Sequence, residues 1–261
     1  SGLVILACAD DQKELLNRKE YSTWSSYLGD AGRSHYTTLS QITKENVKSL
    51  KPAWTYEAAD WGQMQMNPLV VDSVLYGVTA ALRAVALHAA TGEELWSFGD
   101  SLQTAGASSR GVAYWEKGAD KRILYVAGPN LYALHALTGM PVASFGDKGK
   151  IDLRSGMPDG AKDKFVSSNT PGTIYKDLII MPLRLSEGED AAPGDIMAFN
   201  VLTGTLEWVF HTIPHPGEKG HETWKDSTAY KSPIVGAANS CAGMSLDVFA
   251  GLVYVSGSSA A

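Results

Sequence analysis

A hairpin frame stated three times along the chain predicts an all-β fold, a partial β-propeller of four-stranded antiparallel blades with tryptophan-type repeats. Val85 to Phe98 reads VALHAATGEELWSF, Leu131 to Phe145 reads LYALHALTGMPVASF and Ile196 to Phe210 reads IMAFNVLTGTLEWVF. In each copy alternating apolar residues suit a half-buried strand. The pairs Thr91-Gly92, Thr138-Gly139 and Thr203-Gly204 then supply a turn, because Gly tolerates positive φ. A second strand follows and carries Trp96 and Phe98, or Trp208 and Phe210, towards a neighbouring sheet. A single hairpin cannot bury both of its faces, so the copies have to stack, and stacked four-stranded units make a propeller. The 26 glycines and 11 prolines fall mostly between short apolar runs, as a many-turned all-β chain needs.

The 261 residues are 44% hydrophobic and 19% charged with a formal net charge of -6, enough for one sizeable core or two small ones. The acidic balance and the absence of Lys/Arg runs argue against a phosphate-backbone partner, which needs clustered positive charge. No Gly-rich phosphate cradle follows a strand and opens a helix, so a nicotinamide dinucleotide is not implied.

Taken in order, residues 1–20 read as a signal remnant and lipoprotein-like linker, and 21–261 as the propeller. The opening SGLVILACADDQ holds an apolar run too short to span a bilayer. Ile5-Leu6-Ala7-Cys8 resembles a lipobox, which would make Cys8 a lipidation site; the alternative is the end of an ordinary secretory signal. Both place the protein outside the cytoplasm, in the periplasm or anchored to a membrane as a lipoprotein. Cys241 is the other cysteine, and no disulfide is expected between two residues so placed. Tyr21 to Tyr36 mixes aromatics with Gly and Ser and reads as an irregular arm. Ser40 is expected to cap a helix running to about Leu50, with Ile42, Val47 and Leu50 on its apolar side and Pro52 ending it. Ala53 to Ala58 alternates as a final strand that places Trp54 where Trp96 and Trp208 sit in their repeats. The first blade is expected over Asn67 to Phe98 and the second over Arg110 to Phe145, with Gly146 to Val166 a connection. The third spans Asn169 to Phe210, interrupted by an insertion from Ser186 to Gly194, and a fourth begins within Ala242 to Gly257. A strand ending in a turn at Leu252 to Gly257 is read as the middle of a longer chain, since an open sheet edge is a liability.

Several segments together carry a resemblance: WSSYLGDAGRSHYTTLSQITKENVKSLKPAW, QMNPLVVDSVLYGVT, SRGVAYW, the three Thr-Gly repeats, GDKGKIDLR, FHTIPHPGEKGHETW, and ANSCAGMSLD with GLVYVSGS. The sequence resembles the quinoprotein alcohol and glucose dehydrogenases, which use pyrroloquinoline quinone (PQQ) and Ca2+. The resemblance implies roughly the first half of an eight-bladed propeller. It further implies oxidation of an alcohol or sugar substrate, glucose-type favoured, by hydride transfer to the quinone, with electrons passed to cytochrome c or a membrane quinone as acceptor. The catalytic aspartate of the family has no match here and is expected beyond residue 261, so this segment alone is expected to be inactive.

Position by position, Glu187 matches the calcium-ligating glutamate; a hard cation wants oxygen donors, and the bland alternative is a solvated loop acid. Arg110 in SRGVAYW matches an arginine that contacts the quinone, whose carboxylates suit a planar cationic donor. Thr170 and Ser186 match hydroxyl donors to the cofactor, although such residues usually cap local backbone, and Gln65 is a further cofactor-binding candidate. Cys241 stands where the family stacks a tryptophan on the quinone, and Ser258 where methanol-type members place a calcium-ligating asparagine. An adjacent cysteine pair of the methanol-type enzymes is absent, Thr104 to Ser109 taking that stretch. His211, His215 and His221, with Glu218 and Glu222 nearby, invite a metal reading, but their spacing fits no zinc pattern and Pro214 and Pro216 point to a rigid loop packed near the active-site mouth. The competing class is a non-catalytic propeller serving as a protein-binding scaffold of the bacterial envelope; Glu187 and Arg110 argue against it and Cys241 for it.

Overall fold

The computed structural model describes residues 23–99, 108–188, 190–232 and 236–258. Cys8, the linker over residues 1–20 and Thr104 lie outside the described residues. The chain runs through β1 (Leu69–Val71), β2 (Val74–Val78), β3 (Ala84–His88) and β4 (Glu94–Phe98), which form the first sheet in that order. The second sheet is β5 (Ala113–Lys117), β6 (Asp120–Ala127), β7 (Asn130–His135) and β8 (Lys150–Asp152). Next come β9 (Val166–Ser167), β10 (Thr173–Tyr175), β11 (Leu178–Met181), β12 (Arg184–Leu185), β13 (Ile196–Asn200) and β14 (Leu206–Phe210). Of these, β10, β11, β13 and β14 make the third sheet, while β9 and β12 pair with each other. β15 (Met244–Asp247) and β16 (Leu252–Val255) pair as the start of a fourth. Every pairing between neighbouring strands is antiparallel, so each sheet is a meander and the architecture is the partial propeller that the repeats predict.

The inner strands of the second and third sheets are apolar on both faces because each of these sheets lies between two others. In β6, Ile123 and Tyr125 pack with Tyr76, Ala86 and Trp96 of the first sheet, while Leu124 and Val126, one residue out of phase, pack with Ile179, Met181 and Phe199 of the third. The same alternation sends Ile180, Ile196 and Ala198 to the other side of the third sheet, against Met244 of β15. Side chains of period two therefore serve two interfaces at once, and the strands read as near-continuous hydrophobic runs.

The Thr-Gly turns are where one sheet locks onto the next. The Trp96 indole lies over Gly139, where a Cβ would come within 2.6 Å of the ring. Its Nε1 donates to Ala136 O at 2.8 Å. Gly139 has φ 69°, so it is fixed both by backbone conformation and by contact. Trp54 repeats the arrangement one sheet earlier, donating to Ala89 O at 3.1 Å and lying over Gly92. The Trp54 indole thus occupies its expected place, although residues 53–58 form no strand there.

Two further expectations need correction. The helix over Ser40 to Leu50 reduces to one 3-10 turn, Val47–Ser49, with Ile42 and Leu50 exposed at 61% and 56%. A short amphipathic segment with no surface to bury its apolar side has little to offset the cost of nucleation. In the second repeat, Pro141 to Phe145 makes only an isolated bridge, Leu134 to Pro141. Pro141 has no N–H to donate to a ladder, and Ala143 stands where the other copies carry tryptophan. The fourth strand is instead β8, drawn from what read as a connection. The join to the third sheet is made by the Gly146 N–H on Thr203 O at 2.8 Å, with Ile151 against Gly204.

A charged clasp reinforces that join. Arg122, only 4% exposed, donates from Nη1 to Val201 O at 2.8 Å and to Leu202 O at 3.1 Å. Asp120 accepts its Nε at 2.9 Å and its Nη2 at 2.6 Å. The hydrogen bonds from Arg122 hold the Asp120 carboxyl below its ordinary range.

Trp96→Ala is expected to cost about 3–5 kcal/mol through the cavity it leaves. Gly139→Ala, which meets the same indole from the other side at positive φ, should cost more than about 1 kcal/mol. Urea unfolding midpoints equal to wild type for both would show that this contact does not hold the sheets together. Because the folded-state pKa of Asp120 is depressed, its contribution is present above the ordinary carboxylate range and is lost as pH falls through the folded value. Asp120→Asn should therefore be less stable than the parent at neutral pH and converge with it in acid, in a comparison of denaturation curves across pH.

Candidate functional site

The first strands of the second, third and fourth sheets lie side by side, β10 against both β5 and β15. Arg110, Thr170 and Cys241 each stand three residues ahead of one of these strands, and the three meet. Arg110 Nη1 donates to Thr170 Oγ1 at 2.8 Å and to Cys241 O at 2.9 Å. Thr170, 2% exposed, passes its own proton to Cys241 O at 2.7 Å. Backbone bonds tie the same segments together: the Asn67 N–H reaches Arg110 O at 3.0 Å, and the Arg110 N–H reaches Asn169 O at 2.6 Å. Gly111, at φ 132°, lets Asn67 come this close, since a Cβ there would lie 2.6 Å from Asn67 O. Consecutive sheets are thus stitched together just upstream of their inner strands, and the guanidinium is oriented by the stitching.

The aromatic arm closes one side of this cluster. Trp24 pairs with Val70 through two backbone bonds of 3.2 and 2.9 Å. Farther along, Arg33 donates from Nη2 to Thr173 Oγ1 at 2.9 Å and from Nε to Met244 O at 3.0 Å. Its Nη1 reaches Tyr27 O at 2.5 Å, and its guanidinium lies 5.1 Å from the centre of the Tyr27 ring. Burial pushes the Tyr27 phenol above its ordinary pKa, and the positive charges of Arg110 and Arg33 oppose that shift. Burial also lowers the pKa of Arg33. Tyr27 and Arg33 are site-building residues that the sequence reading passed over as part of an irregular arm.

Asn239 links Ser258 to Leu183, three residues ahead of Ser186. Asn239 Nδ2 donates to Leu183 O at 2.7 Å, just ahead of β12 and the Ser186–Glu187 loop. Its Oδ1 accepts the Ser258 hydroxyl at 3.1 Å, and its carbonyl accepts the Ser258 N–H at 2.9 Å. The far end of the loop is pinned by Ala237 N–H on Ala192 O at 2.9 Å. Gly194 and Gly236 sit so close to the facing backbone that a Cβ would lie 2.0 and 2.1 Å from a carbonyl oxygen. Glu187 itself is exposed. The Ser186 hydroxyl accepts the Gly188 N–H at 3.2 Å, the local capping role that such residues commonly take. The Gln65 side chain is exposed, and among the described residues its tie to the cluster is its backbone carbonyl, which accepts the Asn67 amide at 3.4 Å. Asn239 was missed because nothing in the sequence separates a bridging asparagine from a turn asparagine.

Residues 24–261 match the PQQ family described as glucose/ethanol/alcohol dehydrogenase, beta-propeller domain. The chain belongs to this family. It is 30% identical over 222 residues to the quinoprotein glucose dehydrogenase of Escherichia coli, covering 75% of this chain and 27% of that protein. It is 32% identical over 212 residues to the dehydrogenase subunit of the alcohol dehydrogenase (quinone) of Gluconobacter oxydans, covering 75% of this chain and 25% of that one. The chain therefore spans about a quarter of the length of these relatives. Among solved structures, a quinohemoprotein alcohol dehydrogenase of Pseudomonas putida superposes with a TM-score of 0.75 at 23% identity, covering 93% of this chain and 35% of that one. A europium-containing methanol dehydrogenase superposes with a TM-score of 0.65 at 19% identity, covering 91% and 42%. These two likenesses concern the fold.

PQQ is a planar ring edged with carboxylates, and the donors here suit its polar rim. Among the described residues Arg110 spends only Nη1 on protein partners. Ser240, fully buried beside Cys241, has a hydroxyl with no partner among the described residues. What the site lacks is an apolar plate at position 241, where the side chain is an exposed free thiol.

Thr170→Val would leave the Cys241 carbonyl and the Arg110 guanidinium each short of a partner, at an expected cost of about 1–3 kcal/mol. Thr170→Ser should recover most of it. Chemical denaturation of the three proteins measures this, and equal stability of Val and wild type would show that the hydroxyl bridge contributes nothing.

Proposed function

We propose that this chain is the cofactor-gripping part of an exported quinoprotein dehydrogenase that oxidises an aldose or an alcohol, the aldose favoured. The observation that carries the reading is the Arg110 guanidinium, fixed by Thr170 and the Cys241 carbonyl where three inner strands begin. A planar fork held in one orientation recognises a carboxylate or quinone oxygen at a lower ordering cost than a free side chain. Thr170 orients that fork. Tyr27 and Arg33 wall the cluster and keep water from one side. Glu187 offers the anionic oxygen that a hard divalent cation such as Ca2+ requires, and Ser258, placed by Asn239, adds a hydroxyl. Bound PQQ would supply a hydride acceptor, polarised by the cation. The general base that takes the substrate hydroxyl proton would come from sequence outside this segment. Ser258 in place of the methanol-type asparagine, and Thr104 to Ser109 in place of a cysteine pair, are what favour an aldose over methanol. Export to the periplasm with a lipid on Cys8 fits an electron acceptor, cytochrome c or a membrane quinone, at the bilayer.

The second reading, a protein-binding envelope scaffold, is favoured by the thiol at 241. Titration of the full-length protein with PQQ and Ca2+, followed by cofactor absorbance and by dye reduction with glucose or ethanol, separates the two. Binding is expected to weaken by at least about tenfold in Arg110→Ala, the loss of one charge-assisted hydrogen bond. It should tighten in Cys241→Trp, which restores a flat apolar partner. Absence of binding even to Cys241→Trp at saturating cofactor would abandon the dehydrogenase reading for the scaffold.

A further inference from the structure

The loop after β14 gathers a set of metal-ligand side chains that quinone binding leaves unused. His211 and His215 are four residues apart in a stretch that is not helical. An i, i+4 spacing brings two ligands together on a helix; here the stretch is irregular, and the loop's own hydrogen bonds bring them together instead. The Glu218 N–H donates to His215 O at 3.0 Å, closing a turn stiffened by Pro214 and Pro216. The Glu218 carboxylate then folds back, Oε2 accepting the His215 N–H at 2.7 Å and Oε1 lying 2.8 Å from His211 Nδ1. As a result the two imidazoles stack with centres 3.7 Å apart and planes 12° from parallel. One ligand atom from each of His211, His215 and Glu218 lies within 4.8 Å of the others.

Three surrounding features suit a cation. Asp195, 6% exposed, sits behind the loop and accepts the Thr212 N–H at 3.1 Å, placing a second carboxylate near both histidines. The two rings are half-buried, so their proximity is held by packing with Tyr230, whose ring centre is 4.8 Å from that of His215. His215 and Tyr230 also line a cavity of about 400 Å3, room for a water or anion to complete the coordination. His221 lies outside the group of converging ligand atoms, and its Nε2 is 3.1 Å from Ser227 O.

We propose that His211, His215 and Glu218 bind one divalent transition-metal ion of the zinc and copper class, at a site separate from the oxygen-donor position at Glu187. Imidazole nitrogens select such ions over Ca2+, which prefers carboxylate and carbonyl oxygens. Three protein ligands with a fourth position open to the cavity match the coordination that zinc accepts. The proposal does not depend on the quinone reading, since none of the three residues belongs to the Arg110 or Glu187 clusters.

Zn2+ titrated by calorimetry into the purified protein, with excess Ca2+ and no quinone, is expected to bind one to one. His215→Ala and Glu218→Gln should each weaken that binding by at least about 100-fold, the upper end of what loss of even an outer-shell partner costs. His221→Ala should bind as the parent does. Because a substituted loop could lose its shape, the wild-type protein carrying one equivalent of Cu2+ supplies a second readout: electron spin echo envelope modulation showing two imidazoles on the ion. No stoichiometric zinc binding, a His215→Ala variant that binds unchanged, or a copper spectrum with fewer than two imidazoles would overturn the proposal.

Discussion

The structure depends on an indole laid flat over a glycine turn. A sheet buried on both faces needs a neighbour on each side, and neighbours held only by aliphatic packing could slide along their common face. The Trp96 Nε1 bond to Ala136 O and the contact with Gly139 fix the offset between the first two sheets, and Trp54 fixes the position of the chain that precedes them. A large apolar body with one polar tip is well suited to this, because the body supplies burial and the tip supplies register. Where the second repeat lacks the indole, polar groups take over: the Arg122 clasp and the Gly146–Thr203 bond.

Fixing the offset between sheets fixes the cluster around Arg110. Arg110, Thr170 and Cys241 precede strands of three different sheets and touch only because those strands start at the same level. A shift of a few tenths of an ångström between sheets would lengthen the hydrogen bonds of 2.7 to 2.9 Å that orient the guanidinium. The chemistry of the hub is set by packing some distance away, at the outer turns.

How much of this was legible in the sequence follows from the range of each interaction. The Thr-Gly hairpins and their tryptophans could be read because turn chemistry and alternation are local and repeat. Arg110, Thr170 and Cys241 could be named from the family resemblance, and their shared position three residues ahead of an inner strand emerges once the strands are placed. The helix over Ser40 to Leu50 failed because amphipathic spacing says nothing about whether a surface exists to receive it. β8 was missed because Lys150–Asp152 is short and charged, and only the vacancy left by Pro141 and Ala143 recruits it. Asn239, Tyr27 and Arg33 act through partners far off in sequence, and no local pattern marks them.

The arm has a temporal side. Arg33 and Met244 are separated by 211 residues, and Leu246 donates to Ala31 O at 2.9 Å. A contact across so long a stretch of chain cannot form until the intervening sheets exist to bring the two segments within reach. Residues made early therefore wait for the intervening sheets before they find their seats, and Tyr27 takes its place as a late keystone among the described strands.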